Sequence, residues 1–476
     1  MKLVQLYQNI DPAIADTEIT AITDDNRKIV KDCIFVCVKG ERFDGHTVAA
    51  QALEQGAAVV VTERDLGLGE RQILVKDSRA CYGELCAAWF DHPERKMRFI
   101  GVTGTNGKTT ITTVIKHILT ANGHKVGLIG TIQNEIGDEI VPTNNTTPLT
   151  FELMALYDRM YKSGCDVVVM EVSSFGLVQK RIGTTHFDAA VFTNLTQDHL
   201  DYHKTMEAYY QAKRMLFDIC DTALINTEDD YGKRLYAVLD CKKYSIGKER
   251  ADYTYTTERV TASGSAFTLA APDGTHHIQM HMTGGFNVAN ASAAYAACAA
   301  LGLTDAQILP HLESCTGVKG RCEVIPTGRD FSVICDYAHT PDAIENILEN
   351  VKLCTEGKLV CLFGCGGNRD KTKRPLMAQA AAKFADKLIV TSDNPRDEDP
   401  DAIIADVVAG LADSAVPYEI VTDRRDAIFH AVQTAQAGDV IVLAGKGHED
   451  YQIFENNRHT HFDEREIVAD ALKTLA

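Results

Sequence analysis

The chain has 476 residues, a net charge of −18, and 45% hydrophobic and 24% charged residues. Such a length exceeds one ordinary core and points to about three domains, and the composition is that of a soluble globular protein. The acidic balance excludes broad binding to nucleic acid or anionic membranes, but leaves room for phosphate sites built locally.

The start, Met1-Lys2-Leu3-Val4-Gln5-Leu6, meets polar residues too early for a secretory signal, and no apolar run reaches membrane-spanning length. Fourteen cysteines, many inside apolar stretches such as Cys33, Cys37, Cys335 and Cys361, read as buried free thiols of a reducing cytosol. Their spacing lacks paired knuckles, so structural zinc is not expected. A cytoplasmic protein without membrane insertion follows.

Residues 1–95 carry short strand-like runs at Cys33–Val38, Ala57–Thr62 and Gln72–Lys76, with helical material between. The charged, proline-containing stretch Asp91–Lys96 reads as a linker. A second block, 96–322, opens on the apolar run Phe99, Ile100 and Val102. It continues into Gly104-Thr105-Asn106-Gly107-Lys108-Thr109-Thr110, behind which Ile111, Val114, Ile115, Ile118 and Leu119 fall on one helical stripe. A glycine turn opening a helix offers backbone N–H groups and a positive dipole end to an anion. Lys108 adds a mobile charge, and Thr109 a hydroxyl suited to Mg²⁺. The strict phosphate-loop spacing would put glycine where Val102 stands, yet the strand-to-helix junction keeps the signal strong.

Further strands are expected at Asp166–Glu171 and Ala189–Thr193, and a β-rich insertion around 240–283. Glu171, at a strand's carboxyl end beside the phosphate loop, is placed to hold Mg²⁺; a charged strand end facing water is the plainer alternative. Thr193-Asn194-Leu195-Thr196-Gln197-Asp198-His199-Leu200-Asp201-Tyr202-His203 is dense in metal-capable and acid–base groups, though any one histidine there also reads as a solvated or capping residue. Tyr209, Lys213 and Phe217 share one face of a helix around Ala208–Phe217. Lys213 there is either a snorkelling side chain or a buried amine able to accept CO₂ as a carbamate.

In the third block, 323–476, strands Phe331–Cys335, Leu359–Phe363, Lys387–Thr391 and Val440–Ala444 alternate with helices. Each is followed by a polar motif: Asp336-Tyr337-Ala338-His339, Gly364–Arg369, Ser392-Asp393-Asn394-Pro395-Arg396 and Gly445-Lys446-Gly447-His448-Glu449. Open α/β sheets bind ligands at that edge, so these loops describe a site.

Taken together, Gly104–Thr110, Met170–Ser174, Asn194–His199, Phe286–Ala291, Gly320-Arg321 and Asp336–Pro341 resemble, in order, the signature segments of the Mur ligases. That family comprises ATP-dependent amide-forming enzymes of peptidoglycan synthesis. Gly364–Asp370, Lys373–Met377, Asp393–Arg396 and Gly445–Asp450 resemble the member that adds the third residue of the stem peptide. The resemblance covers nearly the whole chain. It implies an α/β protein of three domains: a small UDP-sugar-binding domain (1–95), a central P-loop-type ATPase domain with a mostly parallel sheet (96–322), and a C-terminal Rossmann-like amino-acid-binding domain (323–476).

Carried over by position, the resemblance implies that Asn290, Arg321 and Asp336 join the loop Gly104–Thr110 in holding ATP. Thr109, Glu171, His199 and a carbamoylated Lys213 would serve Mg²⁺, with Lys108, Glu171, His199 and Lys213 catalytic. UDP-MurNAc-L-Ala-D-Glu would meet Asp24, Asn26, Glu41, Arg42, Phe43, Asn145, Thr146, Thr147, Ser173, Gln179 and Arg181. The amino acid would meet Arg369, Asp393, Asn394, Pro395, Arg396, Gly445 and Glu449. Arg396 offers a planar fork to the distal carboxylate of meso-diaminopimelate, which lysine lacks. A monomer acting on ATP, the UDP-dipeptide and meso-diaminopimelate is therefore expected. An L-lysine-adding or specialised relative, a folylpolyglutamate synthase and a nucleotide-binding kinase or regulator are the alternatives. Two departures stand out: Phe175 where the family often has histidine, and Asp25-Asn26-Arg27 in place of Asp-Ser-Arg.

Overall fold

A computed structural model describes residues 1–40, 43–261 and 264–475. Three large β-sheets follow one another along the chain, and a two-stranded antiparallel sheet, Tyr451–Phe454 with Arg458–His461, comes after them. The first is wholly parallel, in the order Ala21–Thr23, Cys33–Val36, Val59–Thr62 and Gln72–Leu74.

The second sheet has eleven strands. Arg98–Thr103 lies at its heart, parallel to Phe187–Phe192 on one side and Val167–Glu171 on the other. Side chains alternate between its faces, as the pleat requires. Ile100, Val102, Val169 and Val191 face the helices Lys108–Ala121 and Gly285–Ala300, while Phe99, Val168, Met170 and Phe187 face the other core. That second core runs on without a break into Ile34, Val36, Tyr82 and Leu85 of the N-terminal region. The helix Lys108–Ala121 is held by the expected stripe: Ile111, Val114, Ile115, Ile118 and Leu119 are all at most 1% exposed. Each such burial contributes about 1.5–3 kcal/mol.

The interval expected as an inserted β-rich unit is instead an extension of this sheet. Tyr253–Thr261 pairs in parallel with Lys242–Gly247 and leads an antiparallel meander through Gly264–Ala271 and Gly274–Met280. The stretch 91–96, expected as a linker, contains a tight turn at Pro93–Arg95. Glu94 is buried there and accepts from Thr184 at 3.0 Å, because the turn packs under the helix Thr150–Lys162.

The third sheet runs in the order Glu323–Ile325, Ser332–Asp336, Val440–Ala444, Leu359–Phe363, Lys387–Val390 and Tyr418–Ile420, antiparallel only at its first pair. Asp336 pairs with Ala444, Ala444 with Phe363, and Phe363 with Val390. Four strands thus end in register, and their loops emerge along one edge. All fourteen cysteines are free and twelve are buried, where they pack as small apolar groups. No helix among the described residues is long and apolar enough to cross a membrane.

Candidate active site

Two close approaches shape the phosphate loop. A Cβ on Gly104 would stand 1.8 Å from Thr193 Oγ1, and one on Gly107 would stand 2.6 Å from Asn290 Oδ1; both glycines also have positive φ. The segment after Phe187–Phe192 clamps the loop from outside. Asn194 accepts from Asn106 N and Thr105 N, each at 2.9 Å, and Thr193 Oγ1 donates to Asn106 O at 2.6 Å. Gly107 then caps the helix, so its first N–H groups face the cleft.

Lys108 donates to Gly104 O at 2.9 Å and Thr105 O at 2.8 Å. Burial pushes its ammonium pKa down against the pull of Glu171 and Asp198. Lys213 is 2% exposed, donates to the same Gly104 carbonyl at 2.8 Å, and stands 4.6 Å from the centre of the Tyr209 ring. Burial first, and the charge of Lys108 second, lower its pKa well below the usual lysine range. The snorkelling alternative is thereby removed: the amine is inside.

Glu171 ends its strand buried, accepting from Thr109 Oγ1, Thr131 N and Thr131 Oγ1, each at 2.9 Å. Thr131 Oγ1 also lies 3.0 Å from Thr146 Oγ1. His199 has φ +52° at the start of a short helix, with Nε2 3.4 Å from Asp198 Oδ2 and its ring edge-on to Phe175 at 5.2 Å. Phe175 also packs on Tyr202 at 4.2 Å, so the departure at this position adds to an apolar ring cluster. No group of three or more Asp, Glu, His or Cys side chains arranged for a metal occurs among the described residues. Glu171, Thr109 and His199 nevertheless suit Mg²⁺, which takes one or two protein carboxylates and leaves its remaining positions to water and phosphate.

Arg321 reaches this group from the far side of the cleft. Its Nη2 is 3.4 Å from Thr109 Oγ1, its guanidinium lies 4.7 Å above the Tyr337 ring, and its buried Nε has no partner among the described residues. An orphaned guanidinium N–H beside a phosphate loop fits an anionic ligand. Asp336 accepts from Cys322 N at 2.6 Å and Ala338 N at 2.8 Å, and burial raises its carboxyl pKa. Asn290 donates to Asn287 Oδ1 at 3.0 Å. A cleft of about 800 Å³ gathers Lys108, Thr109, Glu171, Ser173, His199, Lys213, Asn290, Arg321 and Asp336.

The residues expected at the UDP-dipeptide fall into two groups. Thr147 Oγ1 donates to Glu171 O and accepts from Ser173 N, both at 3.0 Å, while Arg181 donates to Thr147 O at 2.9 Å and grips Gln179 Oε1 through Nε and Nη2. Thr146 and Ser173 line the cleft, and Asn145 adjoins them in sequence. Asp24, Asn26 and the half-exposed Phe43 lie instead around the parallel N-terminal sheet. Arg79 spans the interval, donating to Gln179 O at 3.5 Å and Lys39 O at 3.3 Å. Glu41 and Arg42 lie outside the described residues.

The amino-acid group does not line the cleft but adjoins it at Tyr337, whose ring packs on His448 at 4.8 Å. Burial and the nearby cations Arg321, Arg465 and Lys319 hold His448 neutral, its pKa lowered to about 3. Arg396, at φ +53°, donates to Gly367 O at 3.0 Å. Asn394 Nδ2 donates to Glu449 Oε2 at 3.0 Å, and the buried Asp393 lies against Gly445, where a Cβ would stand 2.7 Å from Asp393 Oδ2. Arg369 is exposed. Sequence reasoning gave no role to Thr131, Asp342 or Lys446, the last named only within its motif. Thr131, two residues past the strand Val126–Ile129, had a strand-end position as its one signal.

Family models fall on this chain in order: "Mur ligase family, catalytic domain" on residues 18–89, "Mur ligase middle domain" on 102–298, and "Mur ligase, glutamate ligase domain" on 320–447. The UDP-N-acetylmuramoyl-L-alanyl-D-glutamate–2,6-diaminopimelate ligase of Bacillus cereus is 43% identical over 470 residues, covering 96% of this chain and 94% of that protein. The ligase of the same name from Clostridioides difficile is 40% identical over 486 residues and covers both chains completely. A solved structure of a ligase so named superposes with a TM-score of 0.74 at 32% identity, covering 99% of each chain. Similarity that runs from end to end through all three sheets leaves one conclusion: the chain belongs to the Mur ligase family.

Proposed function

We propose that this chain is an ATP-dependent, ADP-forming ligase that joins meso-2,6-diaminopimelate to the D-Glu γ-carboxylate of UDP-MurNAc-L-Ala-D-Glu, a step of peptidoglycan precursor synthesis. The observation that carries the choice of amino acid is that Arg396 and Glu449, each held by other partners, stand within electrostatic reach of one another. The guanidinium suits a carboxylate, and the carboxylate suits an ammonium. Diaminopimelate presents both at its distal end, whereas lysine presents only the ammonium.

The loop N–H groups, Lys108 and Arg321 would hold the ATP phosphates and offset charge that builds on the γ-phosphoryl group. Mg²⁺, held by Glu171, Thr109 and His199, would supply further charge neutralisation when bound. The γ-carboxylate of D-Glu attacks the γ-phosphorus, and the bond to the ADP oxygen breaks. The amine of the incoming amino acid then attacks the acyl carbonyl; the C–N bond forms, phosphate leaves, and the amine gives up a proton. Thr147, Ser173, Gln179 and Arg181 would keep the carboxylate beside the phosphate loop, since Thr147 is bonded to the backbone of Glu171. A buried Lys213 with a lowered pKa has the chemistry to take up CO₂ as a carbamate and so add a second carboxylate-like group near the loop.

The decisive assay is phosphate release with ATP, Mg²⁺ and UDP-MurNAc-L-Ala-D-Glu, comparing meso-diaminopimelate, L-lysine and no amino acid. Release that requires diaminopimelate, with a tripeptide product by mass, is expected. Preference for lysine would overturn the role of Arg396, and release without any need for the UDP-dipeptide would assign the ATPase core to another task.

A further inference from the structure

Lys446 follows the strand Val440–Ala444 and is 0% exposed. Its Nζ donates to Asn394 Oδ1 and Glu449 Oε2, each at 2.8 Å, and lies 3.7 Å from Asp393 Oδ1 and 5.4 Å from the centre of the Tyr451 ring. A fully buried ammonium is costly unless anions and acceptors enclose it, and here two carboxylates and an amide do so.

These acceptors belong to the rim described above. Asn394 Oδ1 also accepts from Ile453 N at 3.0 Å, and its Nδ2 donates to the Glu449 oxygen that Lys446 holds. Arg396 N donates to Ile453 O at 3.0 Å, and Arg396 Nη1 donates to Gly367 O at 3.0 Å and lies 3.5 Å from Asn394 O. Lys446 is therefore a charged node that, beside the direct Asn394–Glu449 bond, joins the Asp393–Arg396 loop to the Gly445–Glu449 loop. Among the described residues, Glu449 has Oε2 committed inward while its Oε1 carries no hydrogen bond, and Arg396 uses only Nη1 inward while Nε and Nη2 carry none.

We propose that Lys446 is the positioning residue of the amino-acid site, fixing the separation and orientation of Arg396 and Glu449 without touching the substrate. A cation is needed for a specific reason. With Lys446 gone, Glu449 loses its countercharge and turns to another cation within electrostatic reach, Arg396. The two arms then pair with each other, and a zwitterionic ligand must break that pair before it binds.

This inference rests on the ligase reading and goes beyond it, so wild-type protein is assayed first. If the wild type shows no amino-acid-dependent turnover, the ligase reading fails. Given such turnover, Lys446→Met is expected to raise the amino-acid KM about 10- to 100-fold, as loss of an orienting partner does. The KM values for ATP and the UDP-dipeptide stay within about twofold. Adding Lys446→Met to Glu449→Gln raises the amino-acid KM by less than about threefold more, because both changes act on one interaction. An unchanged amino-acid KM, an equal rise in all three KM values, or full multiplication of the two effects overturns the proposal. Should Lys446→Met not fold by thermal melt, Lys446→Gln, which keeps a donor for Asn394 but loses the charge, is read in the same way.

Discussion

Asn106 of the phosphate loop donates through Nδ2 to Asp342 Oδ2 at 2.9 Å, tying the central sheet's nucleotide loop to the first turn of a helix on the third sheet. Thr196 Oγ1 meets the same carboxylate oxygen at 3.1 Å, and Gly285 N reaches Asn350 Oδ1 at 2.7 Å further along that helix. The phosphate loop and the C-terminal sheet are thus joined directly by side-chain hydrogen bonds. Asp342→Ala removes two hydrogen bonds to a charged acceptor, each worth about 1.5–3 kcal/mol at most. Steady-state kinetics should show the ATP KM raised by about tenfold, at an amino-acid KM changed far less. An ATP KM equal to wild type would mean that the loop does not sense the helix.

On the proposed function, Arg396 is the residue on which the choice of amino acid turns. Arg396→Ala removes the guanidinium and leaves the ligand carboxylate without its fork, a loss of about 2–5 kcal/mol for a desolvated charge pair. The amino-acid KM should rise by about 100-fold or more, with the ATP KM within threefold. Discrimination against L-lysine should fall in parallel, since lysine never used the fork. Equal effects on both substrates would sink the assignment.

How far the chain could be read in advance depended on distance along it. The phosphate loop was legible because its glycines, lysine and apolar stripe are local, and the four motifs of the third sheet because each follows a buried run. What escaped was made by chain crossings. Thr131 matters through Glu171, forty residues on, and Asp342 through Asn106, more than two hundred residues back. Lys446 stood between two residues that were singled out, yet its role depends on Asn394 in another loop. The extension of the central sheet was missed for the same reason. The parallel pairing of Ile246 with Tyr253 leaves no trace in composition, and without it the meander reads as a separate unit.

Acid sensitivity of the third sheet's surroundings should trace in part to Glu398. The buried guanidinium of Arg374 donates to Glu398 Oε1 at 3.0 Å and Oε2 at 3.1 Å, and with Asn368 N and Lys371 it lowers the carboxyl pKa to about 2 from an ordinary 4.5. A depressed folded-state pKa stabilises the fold above pH 4.5, and that contribution fades as pH falls from 4.5 towards 2. Glu398→Gln should therefore cost about 2–3 kcal/mol at neutral pH, because Arg374 stays buried with Asp406 as its remaining carboxylate. Urea midpoints measured against pH should converge for the two proteins as pH approaches 2. Curves that stay parallel would show that Glu398 is not the titrating group.

Lys213 makes a demand on the chemistry that can be met from outside. Its amine is buried and tied to Gly104 O, and burial and the charge of Lys108 lower its pKa, which favours the unprotonated amine that reacts with CO₂. A carbamate there would put a negative group beside Lys108 and the helix N-terminus, where it is electrostatically favoured. Lys213→Ala should lose activity by about 10²- to 10³-fold, the size of effect seen when one preorganised charge partner is removed. The alanine leaves space along the former side chain, so formate, acetate or propionate can bring a carboxylate to the same place. Rescue should depend on acid chain length, reach a plateau with concentration, and be absent in Lys108→Ala, where the loop itself is disabled. An alanine variant fully active without additive would show that the carbamate is not required. One that stays inactive with every acid, yet melts like wild type, would assign Lys213 to holding the loop through Gly104 rather than to carrying a carboxylate.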